Sequence, residues 1–213
     1  MKDIVIYGCG GFGKEIACLI NAINRNTPTW NILGFIDDGL EVGYKNRYGA
    51  VIGGVDFLNN YQNDLAVAIA IANPKIIDAI VKKINNKNIS FPNIIAPNVN
   101  FFDEYSFEIG RGNIIFFGCR ISCDVKLGDF NLFNGQVALG HDVILGNNNI
   151  LGPSTRISGD VVVGDNNFFG VESVVLQGNK IGNNTRIGAG SIVCRNTKDN
   201  QLYHGNPAKI FKI

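Results

Sequence analysis

From Ile109 onward a large aliphatic residue or phenylalanine stands at every sixth position: Ile109, Ile115, Ile121, Leu127, Phe133, Leu139, Leu145, Leu151, Ile157, Val163, Phe169, Val175, Ile181, Ile187 and Val193. The series has no gap. With 46% of the chain hydrophobic, an unbroken run of this length has a chance probability on the order of one in a hundred thousand, so it is an internal repeat. A second register supports it. Four residues after each of these positions stands a small, β-branched or Asn residue, Asn113, Val125, Asn131, Asn149, Asn167 and Ser191 among them. A period of six does not match the 3.6-residue recurrence of a helix face. It predicts a parallel β-helix in which each hexapeptide supplies one short strand and one turn, and three hexapeptides close a coil. The large side chains point inward, the smaller ones fit beside the corners, and Asn can ladder with Asn in the next coil. Glycine follows the aliphatic position repeatedly, as at Gly110, Gly128, Gly140, Gly146, Gly164 and Gly182. Glycine and asparagine are together abundant in this half of the chain, a surplus that reads as many tight turns, since both residues tolerate positive φ.

Before the repeat the period changes. Residues 4–7 read as a strand, and Ile16, Leu19, Ile20 and Ile23 then fall at the i, i+3, i+4, i+7 spacing of a helix face. Residues 32–38 read as a strand ending in two carboxylates, and residues 66–72 as another. Ile77, Ile80, Val81 and Ile84 mark a second helix. The expected organisation is a small Rossmann-like α/β unit over residues 1–97 and a β-helix with a C-terminal cap over residues 98–213.

Between the first strand and helix lies Gly8-Cys9-Gly10-Gly11-Phe12-Gly13. Glycines in that context let a backbone approach a phosphate, and the helix N-terminus favours its charge. Asp37 is placed to bind a ribose hydroxyl. Three readings stay open: a nucleotide-sugar site, an NAD site and a purely structural turn. The unit has only about half the size of a two-part dinucleotide fold, which favours the first.

Composition narrows the classes. Net charge is +1, and no basic run resembles a nucleic-acid footprint. No apolar stretch approaches the ~18 residues of a membrane span, and the first residues read as a strand rather than a signal peptide. A cytoplasmic protein with neither a nucleic-acid partner nor a membrane span is expected. The five cysteines form no C-x-x-C pair, which predicts reduced, mostly buried thiols and no metal site.

Chemistry then rests on two histidines, His141 and His204. His141 lies two residues past an inward aliphatic position, so it should face outward at a turn, either inert or as a base. Acyl transfer needs a base that works near neutral pH, a task suited to histidine, and Asp142 adjoins it. No G-x-S-x-G elbow or Ser-His-Asp order is present, which favours direct attack over an acyl-enzyme. His204 reads as part of a cap over the end of the solenoid.

Tyr7-Gly8-Cys9-Gly10-Gly11-Phe12-Gly13, Phe35-Ile36-Asp37-Asp38, Gly140-His141-Asp142, Ser158-Gly159-Asp160-Val161 and Gly205-Asn206-Pro207-Ala208-Lys209 together resemble the bacterial sugar O-/N-acyltransferases. That family includes the sialic-acid O-acetyltransferase-like group and the N-acetyltransferases of nucleotide-linked 4-amino-4,6-dideoxy sugars. The resemblance runs over essentially the whole chain. It implies a left-handed β-helix, a homotrimer with active sites between neighbouring solenoids, and acetyl-CoA lying in the groove between them. It implies N-acetylation of a nucleotide-linked amino sugar, a surface-glycan or O-antigen precursor, with His141 as general base and Asp142 orienting it. Ile150, Gly159, Val171 and Ala189 fall where members meet the coenzyme. Gly10, Gly11, Phe12, Asp37, Asp38, Ala72 and Asn73 fall in the nucleotide-sugar pocket, and no metal is implied. Many members carry histidine where this chain has Phe12, which bears on the sugar or base recognised, and a second where Ile150 stands, which leaves thioester positioning to backbone groups. Sugar O-acetylation and a non-catalytic nucleotide-sugar-binding solenoid are the alternative readings. The nucleotide (UDP, dTDP or GDP) is left open.

Overall fold

Residues 4–7 are the buried stretch of strand β1 (Lys2–Tyr7), the centre of the first of two structural units. A computed structural model describes residues 1–212, and its units are Met1–Pro97 and Asn98–Ile213. In the first unit, β1 is followed by α1 (Gly11–Asn26), β2 (Trp30–Ile36), β3 (Lys45–Asn46), β4 (Gly49–Gly53), α2 (Val55–Asn60), β5 (Leu65–Ile69), α3 (Pro74–Lys83), β6 (Ile89–Ser90) and β7 (Ile94–Ile95). The main sheet runs β3-β4-β2-β1-β5-β6. Its pairs are parallel except for the antiparallel edge strand β3. Helix α1 forms where the sequence spacing places it, and Ile16, Leu19 and Ile20 are fully buried. Asn73 caps α3 by accepting the Lys75 N–H at 3.1 Å, Pro74 takes the first turn, and Lys82 and Lys83 close the last one.

Two strands end earlier than the hydrophobic runs predict. β2 stops at Ile36 because Asp37 turns its carboxylate onto the backbone N–H groups of Cys9 (2.9 Å) and Gly39 (3.0 Å). β5 stops at Ile69, ahead of the extended Asn73 cap. The hairpin β3–β4, α2 and β6 carry too little periodicity to be read in advance, since each is six residues or fewer.

The second unit is a left-handed parallel β-helix. Its strands are mostly two residues long, and from Glu108 to Val193 the pairs are parallel and eighteen residues apart, as Ile144–Leu145 with Val162–Val163. The sixfold aliphatic positions from Ile115 to Val193 are buried, with Phe133 and Phe169 at 0% exposure. Ile109, in the first repeat, is only half-buried.

The corners correct the sequence reading of glycine. Every sixth residue from Gly112 to Gly190 has φ between 52° and 72°, and Phe130, Gln136, Ser154 and Glu172 are among them. A non-glycine residue in that region costs roughly 1–2 kcal/mol, less for Asn and Asp. The glycines that follow the aliphatic positions sit two residues earlier and serve close packing instead. A Cβ on Gly146 would overlap Asp165 Oδ1 and lie 2.9 Å from the Gly164 carbonyl oxygen. Gly110, Gly128, Gly164 and Gly182 meet their own Asx neighbours in the same way. The glycine column thus leaves room for a hydrogen-bonded column in which Asp129, Asn147, Asp165 and Asn183 each accept a backbone N–H from the coil before.

Inside, the expected asparagine ladder is present. Asn113, Asn131, Asn149 and Asn167 are almost fully buried, and each side-chain oxygen accepts the backbone N–H eighteen residues later, at 2.7 to 3.0 Å. Replacing Asn149 by leucine keeps the bulk but leaves the Asn167 N–H buried and unpaired, a loss of about 1–3 kcal/mol. Denaturant unfolding checks this; a variant as stable as the parent would show that the ladder carries no net energy.

The cysteines differ from expectation. All five thiols are free, but only Cys9 and Cys119 are buried, while Cys18 and Cys194 are exposed. Burial pushes the Cys119 thiol up to about 11.

Candidate functional sites at the sheet edge and the solenoid corner

In the first unit, the three loops leaving β1, β2 and β5 lie at the carboxyl edge of one parallel sheet, where open α/β sheets bind ligands. The neighbouring strand ends are cross-tied: Gly8 N–H donates to Ile36 O (2.7 Å) and Ala70 N–H to Tyr7 O (2.8 Å). All the substrate residues expected from the sequence come from these loops and the start of α1. Gly8 turns the chain at φ 111°. A Cβ on Gly13 would overlap the Gly8 carbonyl oxygen, so this glycine lets the helix press onto the loop. Gly10 and Gly11 are exposed, with nothing within 4 Å of a Cβ at either. Helix α1 has no side-chain cap and no acid in its first turn, so the charge of its positive end favours an anion.

The two carboxylates are used structurally. Asp37 holds Cys9 and Gly39, as above. Asp38 accepts the Val55 N–H at 2.8 Å and a short hydrogen bond from the Tyr7 hydroxyl. Burial, reinforced by Asp38, raises the Tyr7 hydroxyl well above its ordinary range. Ala72 and Asn73 are exposed at the end of the third loop. Sequence reasoning missed Tyr7 and also Asn46, whose side-chain N–H lies 3.3 Å from Cys9 Sγ. Both act across distances in sequence that no local pattern marks.

In the second unit, His141 stands on a corner of the solenoid beside Asp142. Asp142 has φ 58°, and its Oδ2 lies 2.7 Å from His141 Nδ1. Both side chains are about half exposed. Hydrogen bonds hold the corner between its neighbours: Asp142 N–H donates to Cys123 O (3.1 Å) and Asp160 N–H to His141 O (2.8 Å). Cys123, His141 and Gly159 therefore stack one coil apart. A Cβ on Gly159 would stand 2.5 Å from His141 Nε2, so the imidazole lies over that glycine. The eighteen-residue coil spacing is the signal that points to Cys123 and Asp160 as further members of this corner.

The remaining coenzyme candidates lie elsewhere. Val171 and Ala189 are exposed and stack on another corner, where Gly190 N–H bonds Val171 O at 2.8 Å. The two corners flank one face of the coil, the one carrying Ala138, Arg156 and Val174. Ile150 is on a different face, between Leu132 and Phe168, and is 1% exposed. One chain does not bring Ile150, Val171 and Ala189 to His141. His204 lies on the terminal hairpin formed by Leu202–His204 and Lys209–Ile210, against Phe211 and Gly188. This is a capping position. Among the described residues no cluster could hold a metal ion, and no helix is long and apolar enough to cross a membrane.

Residues 3–84 match the family model described as the PglD N-terminal domain. No curated protein matches the chain by sequence. Among solved structures, PerB from Caulobacter crescentus, in complex with CoA and GDP-perosamine, is 28% identical with a TM-score of 0.87, covering 100% of this chain and 98% of that one. Two structures of perosamine N-acetyltransferase from the same organism carry a histidine replaced by asparagine or alanine. WeeI from Acinetobacter baumannii AYE is 26% identical with a TM-score of 0.88, covering 99% of this chain and 100% of that one. The acetyltransferase domain of PglB from Neisseria gonorrhoeae FA1090, in complex with acetyl coenzyme A, is 25% identical with a TM-score of 0.89, covering 99% of each chain.

Proposed function

We propose that this chain is an acetyl-CoA-dependent N-acetyltransferase acting on the amino group of a nucleotide-linked amino-dideoxy sugar. The observation that carries the reading is the His141–Asp142 pair, exposed on a solenoid corner directly over Gly159. The likeness over the full chain to PerB, WeeI and the PglB acetyltransferase domain supports the reaction class.

The mechanism follows from the pair. With its carboxylate at Nδ1, Asp142 favours the tautomer protonated there and leaves Nε2 to accept a proton. The acceptor nitrogen attacks the thioester carbon and gives its proton to Nε2. The tetrahedral intermediate collapses with cleavage of the carbon–sulfur bond, and the departing CoA sulfur takes up that proton. The Gly159 backbone amide is the candidate donor to the oxyanion. No acyl-enzyme is required.

In the first unit, the sheet edge with Gly10, Gly11, Phe12, Asp37, Asp38, Ala72 and Asn73 is assigned to the nucleotide sugar, whose phosphates suit the uncapped α1 N-terminus. Val171, Ala189 and Gly159 are assigned to the coenzyme, and Ile150 to its apolar surroundings. The Val171 and His141 corners lie at opposite edges of one face, so a site using both needs a second solenoid. A homotrimer, closed by threefold symmetry, supplies one. The substrates place the enzyme in the cytoplasm, making precursors of surface glycans such as O-antigen.

The test is CoA thiol release from acetyl-CoA with a panel of UDP-, dTDP- and GDP-linked amino-dideoxy sugars, beside their hydroxyl counterparts. Turnover is expected with at least one amino sugar and not with its hydroxyl counterpart. Preference for the hydroxyl compounds would establish O-acetylation instead. No thiol release with any acceptor would leave a binding solenoid.

A further inference from the structure

The His141 imidazole and the backbone of residue 159 occupy the same corner one coil apart, and their closeness has a specific consequence. An ideal Cβ at 159 would lie 2.5 Å from Nε2, 2.6 Å from Cε1 and 2.9 Å from Cδ2 of His141. A Cβ carbon essentially never comes within 3.0 Å of a non-bonded heavy atom, so something would have to shift. Three ring atoms are involved, including the nitrogen opposite the one that meets Asp142.

Neither partner can yield cheaply on the backbone side. His141 O accepts the Asp160 N–H at 2.8 Å, and Gly159 O accepts the Gly178 N–H at 3.1 Å. Behind the corner, the Gly140 N–H is held by Ile157 O at 2.8 Å. A Cβ on Gly140 would itself stand 2.5 Å from Gly159 N and 2.8 Å from Ser158 C. The two coils are therefore stacked at glycine–backbone distance, and the imidazole is the movable part. Any side chain at 159 would swing the ring, and the ring angle is what keeps Nδ1 at 2.7 Å from Asp142. The backbone at 159 is not left-handed, since the positive-φ residue of this corner is Asp160. Conformational freedom is thus not the reason for glycine here.

We propose that Gly159 is a positioning residue. By lacking a side chain it provides the floor on which the His141 ring lies, and so selects the rotamer and tautomer in which Asp142 holds Nδ1–H and Nε2 stays free. This rests on the assignment of His141 as the base and adds to it. The role belongs to the missing Cβ and is separate from any contact the residue 159 amide makes with a thioester.

The experiment is a pair of readouts on Gly159→Ala. The chain has two histidines, so the side-chain nitrogen spectrum of protein labelled with ¹⁵N-histidine contains two imidazoles, and His204 in the cap serves as an internal control for folding. In the parent, unliganded protein, His141 is expected as the Nδ1–H tautomer, with a nuclear Overhauser contact between its ring protons and the Gly159 α protons. In Gly159→Ala the Nδ1–H population should fall toward an even or inverted mixture while the His204 signals stay put. Unchanged His141 signals in a folded variant would overturn the proposal. If the variant fails to fold, the parent's contact decides, and its absence overturns the proposal equally.

Activity supplies the second readout through a double-mutant cycle. Gly159→Ala should lower kcat at least tenfold in the parent, with the acetyl-CoA KM changed less than threefold. In the His141→Ala background the same change should cost less than twofold, because the ring it displaces is gone. An equal loss in both backgrounds would mean that residue 159 acts on the coenzyme, which overturns the proposal. The spectral readout needs no turnover. A tautomer shift without acetyltransferase activity would retain the steric role while refuting the proposed reaction.

Discussion

Replacing His141 by alanine is expected to lower turnover by ~10²-fold or more, the usual contribution of a positioned general base. That corresponds to about 3 kcal/mol or more on the activation barrier. The amine nitrogen keeps its proton without a nearby acceptor, so the loss should fall on kcat rather than on the KM for acetyl-CoA. The fold should be untouched. His141 is half exposed, and its structural tie is the backbone bond from Asp160, which alanine retains. Steady-state kinetics with a competent amino sugar, alongside thermal unfolding, check both halves. Near-normal turnover would remove His141 from the mechanism, and a large loss of stability would make it a structural residue instead. Asp142→Asn, which keeps the corner but no longer selects the tautomer, is expected to produce a smaller loss in the same direction.

Phe169→Ala carries the largest expected effect on stability, about 3–5 kcal/mol. Phe169 is fully buried and stacks between Leu151 and Ile187 in adjoining coils. Removing the ring opens a cavity that the column cannot close, because the coils are pinned by their ladders and by glycine–backbone contacts such as that of Gly170 with Ala189, 2.5 Å from its would-be Cβ. A solenoid couples mainly to its neighbours, so the loss should appear as an earlier, broader unfolding transition. Phe102, 65% exposed, is the control, and its alanine variant should stay within about 0.5 kcal/mol of the parent. Equal effects at the two positions would contradict the inward column.

Much of this architecture is legible because the repeat makes one decision many times. Six-residue periodicity marks the buried column from Ile115 to Val193, and the Asn113–Asn167 series marks the ladder. The βαβ start is legible for a similar reason, since α1 and α3 bury the faces their spacing predicts. The elements that escaped are short or held by distant partners: the β3–β4 hairpin, α2, and the early end of β2, where Asp37 reaches back to Cys9. The purpose of the glycines was misread because close stacking and positive φ select the same residue, and a sequence cannot separate them. The structure does so by placing positive φ at Asp142 and Asp160 and near-contact at Gly140 and Gly146.

The candidate site divides in the same way. The sequence by itself placed His141 on an outward turn, two residues past the inward position of Leu139, with Asp142 adjoining it. It also determined that a glycine-rich loop joins the first strand to the first helix. Only the tertiary structure decided that the Asp142 carboxylate meets Nδ1, that Gly159 lies under the ring, and that Val171 and Ala189 occupy a separate corner while Ile150 is buried. Those relations depend on the stacking of one coil on the next, eighteen residues away. They follow from the rise and closure of the β-helix, which the local order of residues 140–142 does not contain.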